Sequence, residues 1–183
     1  MTTAHTLPTA REVVDFWREA GPAKWFNGGA AFDDALRARF EAAHFAASRR
    51  ELEGWMESAE GALALLVLLD QVPRNIFRGS AHSYATDPLA RHYAERMLEA
   101  GLDREVEPAL QVFCYLPFEH SEDLLDQERS VALMAGLGET YADYAVQHHE
   151  VIERFGRFPH RNRALGRANT ADEQAWLDAG GGF

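Results

Sequence analysis

Apolar residues recur at every third or fourth position along most of the chain, which is the spacing of amphipathic α-helices. The stretch 139–155 shows it most clearly, because Glu150 and Arg154 pair on the side opposite its apolar residues. The same spacing, bounded by capping residues, predicts helices over 9–19, 32–48, 58–70, 87–100, 108–116, 121–137 and 139–155. We therefore predict an all-α fold.

Short polar motifs mark the starts of two helices. Thr9 with Glu12, and Thr170 with Glu173, have the spacing of a capping box. In such a box each side chain bonds the backbone N–H of the other residue. The second box predicts a short final helix that ends at the glycines 180–182.

The segment 62–70, ALALLVLLD, is apolar on all sides. Leucine and alanine dominate it and a single residue is β-branched, which favours a helix over a buried strand. We expect Ser58 to cap it, Pro73 to end its regular part, and 71–80 to form a loop or a single helical turn. A helix without a polar face belongs at the centre of a fold.

Two more helix boundaries are predicted from prolines and hydroxyl side chains. Pro117 is expected to cut the helix 108–116, and Ser121 to cap the helix that follows. Thr86 is expected to cap the helix that Pro88 opens. Short helices with short connections imply antiparallel helix pairs packed side by side.

The chain has the size and composition of one ordinary globular domain. Of its 183 residues 46% are hydrophobic and 26% charged, which is enough for a sizeable core. No low-complexity linker divides it, so we predict a single domain over residues 1–183. With 29 acidic and 18 basic residues the formal charge is −11. This charge argues against nucleic acid as a partner and is otherwise explained by solubility.

Cysteine content and hydropathy bear on location. Cys114 is the single cysteine, so no intrachain disulfide can form, and on an apolar helix its thiol is expected to be buried and inert. The first residues lack the basic and apolar stretches of a signal peptide. The longest uncharged apolar run, 61–69, is much shorter than the roughly 20 residues of a membrane span. We predict a cytoplasmic protein with no membrane partner.

A family resemblance is carried by four segments of the sequence. They are LLDQVPRNIFRG (68–79), SYATDPLA (83–90), YLPFEHSED (115–123) and HHEVIERFGRFPHRNRALGR (148–167). At these segments, and over nearly its whole length, the chain resembles a bacterial family catalogued as domain of unknown function 924. The resemblance implies a bacterial origin and an all-α fold with a tetratricopeptide-like arrangement of helix pairs. It implies no activity.

The common catalytic and metal-binding motifs are missing from the sequence. One Glu-x-x-His pair is present, Glu41 with His44, where a di-iron bundle needs two. Neither HExxH nor GxSxG occurs, and the adjacent His148 and His149 point to different faces of their helix. We therefore expect no bound metal and no cofactor.

Polar side chains cluster at three places where apolar helices are interrupted. The candidate ligand-binding residues chosen from them are Asp70, Arg74, Asn75, Tyr115, His120, Glu122, His148, Arg154, Arg157, His160 and Arg161. A structural interpretation is that these groups tie helix ends together, with arginines bonding the carbonyls and carboxylates left bare at the prolines. On an apolar stripe, His148 fits that role as a core histidine.

A functional interpretation rests on residues 154–167, which hold five arginines, one histidine and no acid. Such a segment on a concave helical surface would suit a carboxylate or a phosphate. Aromatic residues such as Tyr115 and Phe158 would form apolar walls. The leading hypothesis is a noncatalytic helical-pair binding module for an anionic small molecule or peptide terminus.

An enzyme is the alternative hypothesis. His120 or His148 would act as acid or base on an anionic substrate that arginines hold, with Glu119 or Glu122 beside it. Catalysis requires titratable groups to converge in one cleft, whereas a binding module needs arginines and apolar walls. Convergence therefore distinguishes the two hypotheses.

A third hypothesis is a structural protein that associates through surface aromatic residues. Trp25 and Phe26 are the candidates for such a surface. The sequence leaves a homo-oligomer open and does not predict one.

Overall fold

Helices follow one another through the computed structural model of the chain, which describes residues 6–183. The α-helices are α1 (Ala10–Ala20), α2 (Pro22–Trp25), α3 (Ala30–Ser48), α4 (Ala59–Leu66), α5 (Val72–Ile76), α6 (Asp87–Glu99), α7 (Val112–Glu119), α8 (Leu124–Met134), α9 (Glu139–Phe155) and α10 (Ala171–Asp178). Single turns of 3-10 helix lie in several connections, and these residues contain no strand. The predicted all-α fold is confirmed.

The most apolar segment lies at the centre of the molecule, as predicted. Residues 61–72 are all buried, and they run through α4, a π-helical turn (Val67–Gln71) and the start of α5. The helices α1, α3, α6 and α7 pack around this run. Each leucine buried there contributes about 1.5–3 kcal/mol of hydrophobic free energy.

The helical path continues past Pro73 as one short helix, which is one of the two structures predicted for 71–80. Val72 donates its N–H to the carbonyl of Val67, five residues back, which makes this turn a π turn. α5 then carries the helical path on to Ile76. The single helical turn predicted within 71–80 is therefore α5, and turns without a regular helix follow it up to residue 80.

Two side chains replace the helical hydrogen bonds that are lost at this turn. Pro73 has no N–H to offer Leu69, and Thr86 Oγ1 donates to the Leu69 carbonyl at 2.5 Å instead. The Leu68 carbonyl loses its partner to the π turn, and His44 Nδ1 lies 2.8 Å from it. The two backbone carbonyls that lose their helical partners at the π turn thus each bond a side chain from another helix or connection.

Three predicted helix starts are confirmed. Thr9 with Glu12 and Thr170 with Glu173 form complete capping boxes at α1 and α10. The Ser58 side chain accepts the Gly61 N–H and caps α4.

Of two other predicted caps, Thr86 does occupy the N-cap position of α6, and the cap predicted at Ser121 is wrong. The Thr86 hydroxyl makes no capping bond to α6, because it is used on the Leu69 carbonyl. Asp123, rather than Ser121, caps α8 by accepting the N–H of Leu125. The Ser121 hydroxyl instead accepts the Asp123 N–H and donates to a carboxylate.

The prediction of a helix over 108–116 that Pro117 cuts is also wrong. α7 begins at Val112 after irregular turns, and it runs through Pro117 to Glu119. The proline removes the N–H that would bond the Phe113 carbonyl. Every residue of α7 is buried, so packing holds the helix despite that loss.

Successive helices lie against one another from α6 to α9. α8 and α9 are joined by residues 135–138 alone, and such a short connection makes neighbouring helices run in opposite directions. The tetratricopeptide-like arrangement of these pairs stays a prediction. None of the helices in residues 6–183 is long and apolar enough to cross a lipid bilayer.

Trp25 lies in the core and not on a surface, which contradicts its predicted role in association. It is buried against Phe113, with ring centroids 5.0 Å apart. Its Nε1–H donates to the Trp17 carbonyl at 2.6 Å. The neighbouring Phe26 side chain is 56% exposed.

Gly61 gives a test of this packing. A Cβ at this position would lie 2.1 Å from the carbonyl oxygen of Trp55, so we expect Gly61→Ala to destabilise the protein by about 1–3 kcal/mol. In an open helical position the same change would stabilise. Gly54→Ala is the matched control, because a Cβ there meets no atom within 4 Å. Urea unfolding measures the stability of both variants. Equal free energies of unfolding would contradict the close packing of Gly61 against Trp55.

Candidate functional site

Polar side chains from distant parts of the sequence meet where the π turn, the start of α6 and the end of α7 adjoin α9 and the 3-10 turn Pro159–Arg161. We call this group the polar cluster, and its members are Asp70, Arg74, Asp87, Glu119, His120, His148 and Arg161. All but Asp87 and Glu119 are among the candidate ligand-binding residues. The interrupted helices that identified them in the sequence thus converge in space.

The carboxylate of Asp70 occupies the middle of the polar cluster, with 1% of its side chain exposed. It accepts hydrogen bonds from Gln71 Nε2 at 2.5 Å and Arg74 Nη1 at 3.0 Å, and His120 Nδ1 lies 2.8 Å away. Burial opposes ionisation, but the charges and donors of Arg74 and His120 outweigh it and lower the pKa of Asp70. The carboxylate is therefore ionised at neutral pH.

Arg74 connects Asp70 to Asp87. Its Nη1 and Nη2 donate to the two carboxylate oxygens of Asp87 at 2.8 and 2.9 Å. Its Nη1 also bonds the Asp70 backbone carbonyl at 2.7 Å. This two-point contact fixes the plane of the guanidinium, which a lysine could not reproduce.

The imidazole of His120 is held by one nitrogen only. Nδ1 faces both carboxylate oxygens of Asp70, at 2.8 and 3.0 Å, so it carries the proton. No hydrogen bond to Nε2 forms within residues 6–183, and 13% of the side chain is exposed. Burial and the charge of Arg74 lower the pKa of His120 in spite of Asp70. At neutral pH, Nε2 is therefore a proton acceptor.

Glu119 and His148 form a neutral pair beside His120. Burial and the charge of Asp70 raise the pKa of Glu119 to about 8, so this carboxyl is protonated at neutral pH. Burial lowers the pKa of His148 to about 3. His148 Nδ1 donates to the Tyr144 carbonyl at 2.8 Å and lies 3.5 Å from Glu119 Oε1. The rings of His148 and His120 are 6.4 Å apart.

The guanidinium of Arg161 is buried between the aromatic rings of Phe158 and Tyr84, 4.3 and 4.7 Å from their centroids. Nη1 donates to the His120 carbonyl at 2.9 Å and lies 3.5 Å from Asp87 Oδ2. Nε has no hydrogen-bond partner in the described part of the chain. Burial, with the like charge of Arg74, lowers the pKa of Arg161 to about 10. The guanidinium stays charged and keeps unused donors.

His160 lies close to this guanidinium along the chain. Its Nδ1 is buried and lacks a partner among the residues described. Burial, reinforced by the charge of Arg161, lowers its pKa to about 4. His160 is neutral at physiological pH and brings no positive charge to the site.

Another predicted arginine of this segment, Arg157, already has an acid as its partner. Arg157 forms a two-point contact with Glu173, at 2.6 and 2.8 Å. Glu122 likewise binds both terminal nitrogens of Arg167, at 2.7 and 2.8 Å, and accepts the Phe158 N–H. Much of the basic segment 154–167 is therefore neutralised by acids that are remote in sequence.

Like Glu122, Arg157 and His160, three further predicted candidates lie outside the polar cluster. Tyr115 donates its hydroxyl to Asp103 at 3.0 Å, and Asn75 donates to the Gln71 carbonyl. Arg154 is exposed, with its guanidinium over the ring of the adjacent Phe155. The structure does not bring these three side chains to His120.

Two acids that bind arginines in and near the polar cluster have a sequence pattern that indicated a different role. Asp87 has the position of a first-turn helix acid, and Glu173 that of a capping-box partner. Both also bind an arginine, at positions 74 and 157 respectively. Only the tertiary structure reveals this second role.

Other kinds of site find little support elsewhere in the chain. Residues 6–183 contain no group of three or more histidine, cysteine or acidic side chains arranged to hold a metal ion. The thiol of Cys114 is fully buried, and burial raises its pKa. Two surface clefts of about 450 and 380 Å³ lie along α3, away from the polar cluster.

Glu119 provides a test of the electrostatics of the site. In the unfolded chain its carboxyl ionises near pH 4.5, whereas in the folded protein it keeps its proton up to about pH 8. Ionisation thus favours unfolding as the pH rises between these values. We expect Glu119→Gln to gain stability relative to the parent by about 1 kcal/mol per pH unit from pH 5 to 8. Urea unfolding across this range measures the difference.

The exposed Glu150→Gln on α9 is the control for this experiment. It should show no such trend, because an exposed carboxylate pays no burial cost when it ionises. A stability difference for Glu119→Gln that does not change with pH would contradict a protonated Glu119.

Comparison with known proteins places the chain in a family. No curated protein matches it. The solved structure of a protein of unknown function, ATU0120 from Agrobacterium tumefaciens, is 54% identical to it with a TM-score of 0.91, and the match covers 93% of this chain and 97% of that chain. The model of the family described as bacterial protein of unknown function (DUF924) matches residues 13–181. The chain therefore belongs to the DUF924 family.

Proposed function

We propose that this protein is an enzyme in which His120 acts as a general base. The contact of His120 Nδ1 with the buried carboxylate of Asp70, at 2.8 Å, is the observation that carries the proposal. A carboxylate on one imidazole nitrogen fixes the tautomer in which the other nitrogen accepts a proton. The titratable groups gathered around His120 favour acid–base chemistry over binding alone.

The proposed step transfers one proton. The lone pair of His120 Nε2 takes it from an O–H or an activated C–H group of the substrate, or from a water molecule that attacks the substrate. The resulting imidazolium lies against the carboxylate of Asp70, so the new positive charge is paired. Arg74 holds that carboxylate in place and is itself fixed by Asp87.

Glu119 is the candidate acid that returns a proton later in the reaction. Its pKa near 8 keeps it protonated at neutral pH and ready to donate. His148 fits the role of base less well, because a group of pKa about 3 is a weak proton acceptor. Glu122 is already bound by Arg167 and the Phe158 N–H.

The guanidinium of Arg161 favours a substrate that carries an anionic group. It has five N–H donors, and one of them bonds the His120 carbonyl. That bond holds the guanidinium against the backbone of His120, which bears the proposed base. Its position between two aromatic rings holds the guanidinium in a fixed orientation before any substrate binds.

Binding without chemistry is the second candidate function. It rests on the unused donors of Arg161, and it retains the idea of a module of tetratricopeptide-like helix pairs that recognises an anionic small molecule or peptide terminus. Arg157 no longer supports it, because Glu173 occupies that guanidinium. For either function we propose a cytoplasmic location, since the single buried cysteine allows no intrachain disulfide.

The general-base proposal is tested by isotope exchange, which does not require the natural substrate. A panel of small keto acids is incubated with the protein in deuterated water, and proton NMR follows deuterium uptake at the carbon beside the carbonyl. Chromogenic carboxylate and phosphate esters extend the panel to hydrolysis. We expect His120→Gln to lower any rate above the buffer background by about 100-fold or more. The exposed His92→Gln is the matched control and should keep the parent's rate.

Nitrogen NMR measures the protonation state and the tautomer of the His120 imidazole and requires no substrate. We expect His120 to be neutral at pH 7 with its proton on Nδ1, and Asp70→Asn to disturb that tautomer while His92→Gln leaves it unchanged. A doubly protonated His120 at pH 7 would contradict the proposal, because an imidazolium cannot accept a proton. Turnover that survives His120→Gln would do the same.

A further inference from the structure

The chain turns back after α10 and brings Phe183 to the polar cluster. Gly180 and Gly181 end the helix by donating their N–H groups to the carbonyls of Leu177 and Trp176, both at 2.9 Å. Segment 180–183 then runs toward His148 on α9. Three consecutive glycines allow many backbone conformations, and the one adopted here leads to the contact of Phe183 with His148.

Each of the three glycines meets a separate requirement of this turn. Gly180 and Gly182 have φ of +88° and +138°, which other residues rarely adopt. A Cβ on Gly181 would lie 2.3 Å from the ring of Trp176. The three glycines therefore permit the backbone turn that places Phe183 against the polar cluster.

The Phe183 ring sits against three aromatic rings. It stacks on His148 at 3.6 Å with the planes 13° apart, and it meets the edges of His160 and Phe158 at 5.7 and 6.2 Å. The two edge contacts have the geometry that aromatic pairs prefer, and the short separation from His148 is that of a nearly face-to-face stack. We call these three rings the aromatic box. Phe183 as a residue is 51% exposed.

The walls of the aromatic box belong to the proposed catalytic site. His148 adjoins Glu119 and the ring of His120. The guanidinium of Arg161 lies 4.3 Å from the centroid of the Phe158 ring. The proposed anionic group would bind to this guanidinium. A ring in the aromatic box is thus separated from the proposed base by His148 and from the proposed anion site by Phe158.

We propose that Phe183 is a displaceable occupant of an aromatic subsite, and that the ligand of this protein is an aromatic compound bearing an anionic group. The ligand's ring replaces that of Phe183 in the aromatic box, and its carboxylate or phosphate binds Arg161. The proposal rests on the proposed function, since it identifies the class of substrate. Segment 180–183 then acts as a tethered competitor that any ligand must displace.

Binding of simple acids to Phe183→Ala tests the subsite. A site that its own side chain occupies most of the time shows an apparent affinity reduced by the fraction that is free. We therefore expect Phe183→Ala to bind 3-phenylpropanoate about tenfold more tightly than the parent, measured by calorimetry. Phe26→Ala is the matched control, because it removes another phenylalanine that is about half exposed. It should keep the parent's affinity.

Three further probes separate the two parts of the ligand. With Phe183→Ala, 3-cyclohexylpropanoate tests the aromatic ring, 3-phenylpropan-1-ol tests the charge, and propanoate tests the anion alone. Each should bind more weakly than 3-phenylpropanoate. The imidazole NMR signals of His148 should shift with 3-phenylpropanoate and not with propanoate, because only the former places a ring on them.

Gly181→Ala is a second variant that displaces the ring without removing it, because its Cβ would collide with Trp176. It should raise the affinity in the same direction, and it keeps the test informative if Phe183→Ala folds poorly. Unchanged affinity in both variants, an equal gain in Phe26→Ala, or equal binding of the cyclohexyl acid would overturn the proposal.

The outcome also distinguishes this proposal from the proposed function. If the aromatic acid fails to bind while His120→Gln still lowers the exchange rate, only the aromatic subsite is lost. If the acid binds as expected while His120→Gln changes no rate, the subsite belongs to a binding protein and the general-base role of His120 is wrong.

Discussion

The burial of one ionised carboxylate, that of Asp70, governs the organisation of this protein. An isolated charge in the interior costs several kcal/mol, so donors must come to it from other elements. Arg74 and His120 supply them, and Arg74 in turn requires Asp87. The end of α7 and the start of α6 are therefore fixed relative to the π turn by electrostatics as well as by apolar packing.

The charges in and around the polar cluster balance. Three carboxylates face three guanidinium groups, and they are Asp70, Asp87 and Glu122 with Arg74, Arg161 and Arg167. Glu119 and His148 are neutral beside them because burial shifts the pKa of each toward its uncharged form. An incoming ligand meets individual donors and acceptors rather than a broad positive surface. This favours chemistry at His120 over attraction of anions by the whole basic segment.

The sequence predicted the regular parts of the fold well, because local patterns determine them. The capping box of Thr9, the apolar run 61–72 and the amphipathic α9 all follow from residues close together in the chain. Pro117 misled the prediction, because a helix passes a proline when packing or distant side chains compensate the lost bond. Sequence patterns do not reveal those distant partners.

The candidate site was located from sequence, but its chemistry was not. Polar residues at interrupted helices included Asp70 and His120, whose side chains the structure brings into contact across 50 positions. The charge reversal in 154–167 suggested unpaired arginines, yet Arg157 finds its acid in Glu173. Counting the acids that are close in sequence does not detect an acidic partner that lies on the next helix, as Glu173 does. Which groups are neutral depends on burial, and that is a property of the folded chain.

The π turn also sets a constraint on chain length. It contains one residue more than an α-helical turn would need between Val67 and Val72. Successive residues of an α-helix are rotated by about 100°, so deleting one residue here would turn Asp70 away from His120 while leaving the composition of the helix almost unchanged. Insertions and deletions in this buried helix are therefore expected to be far more damaging than apolar substitutions at the same positions.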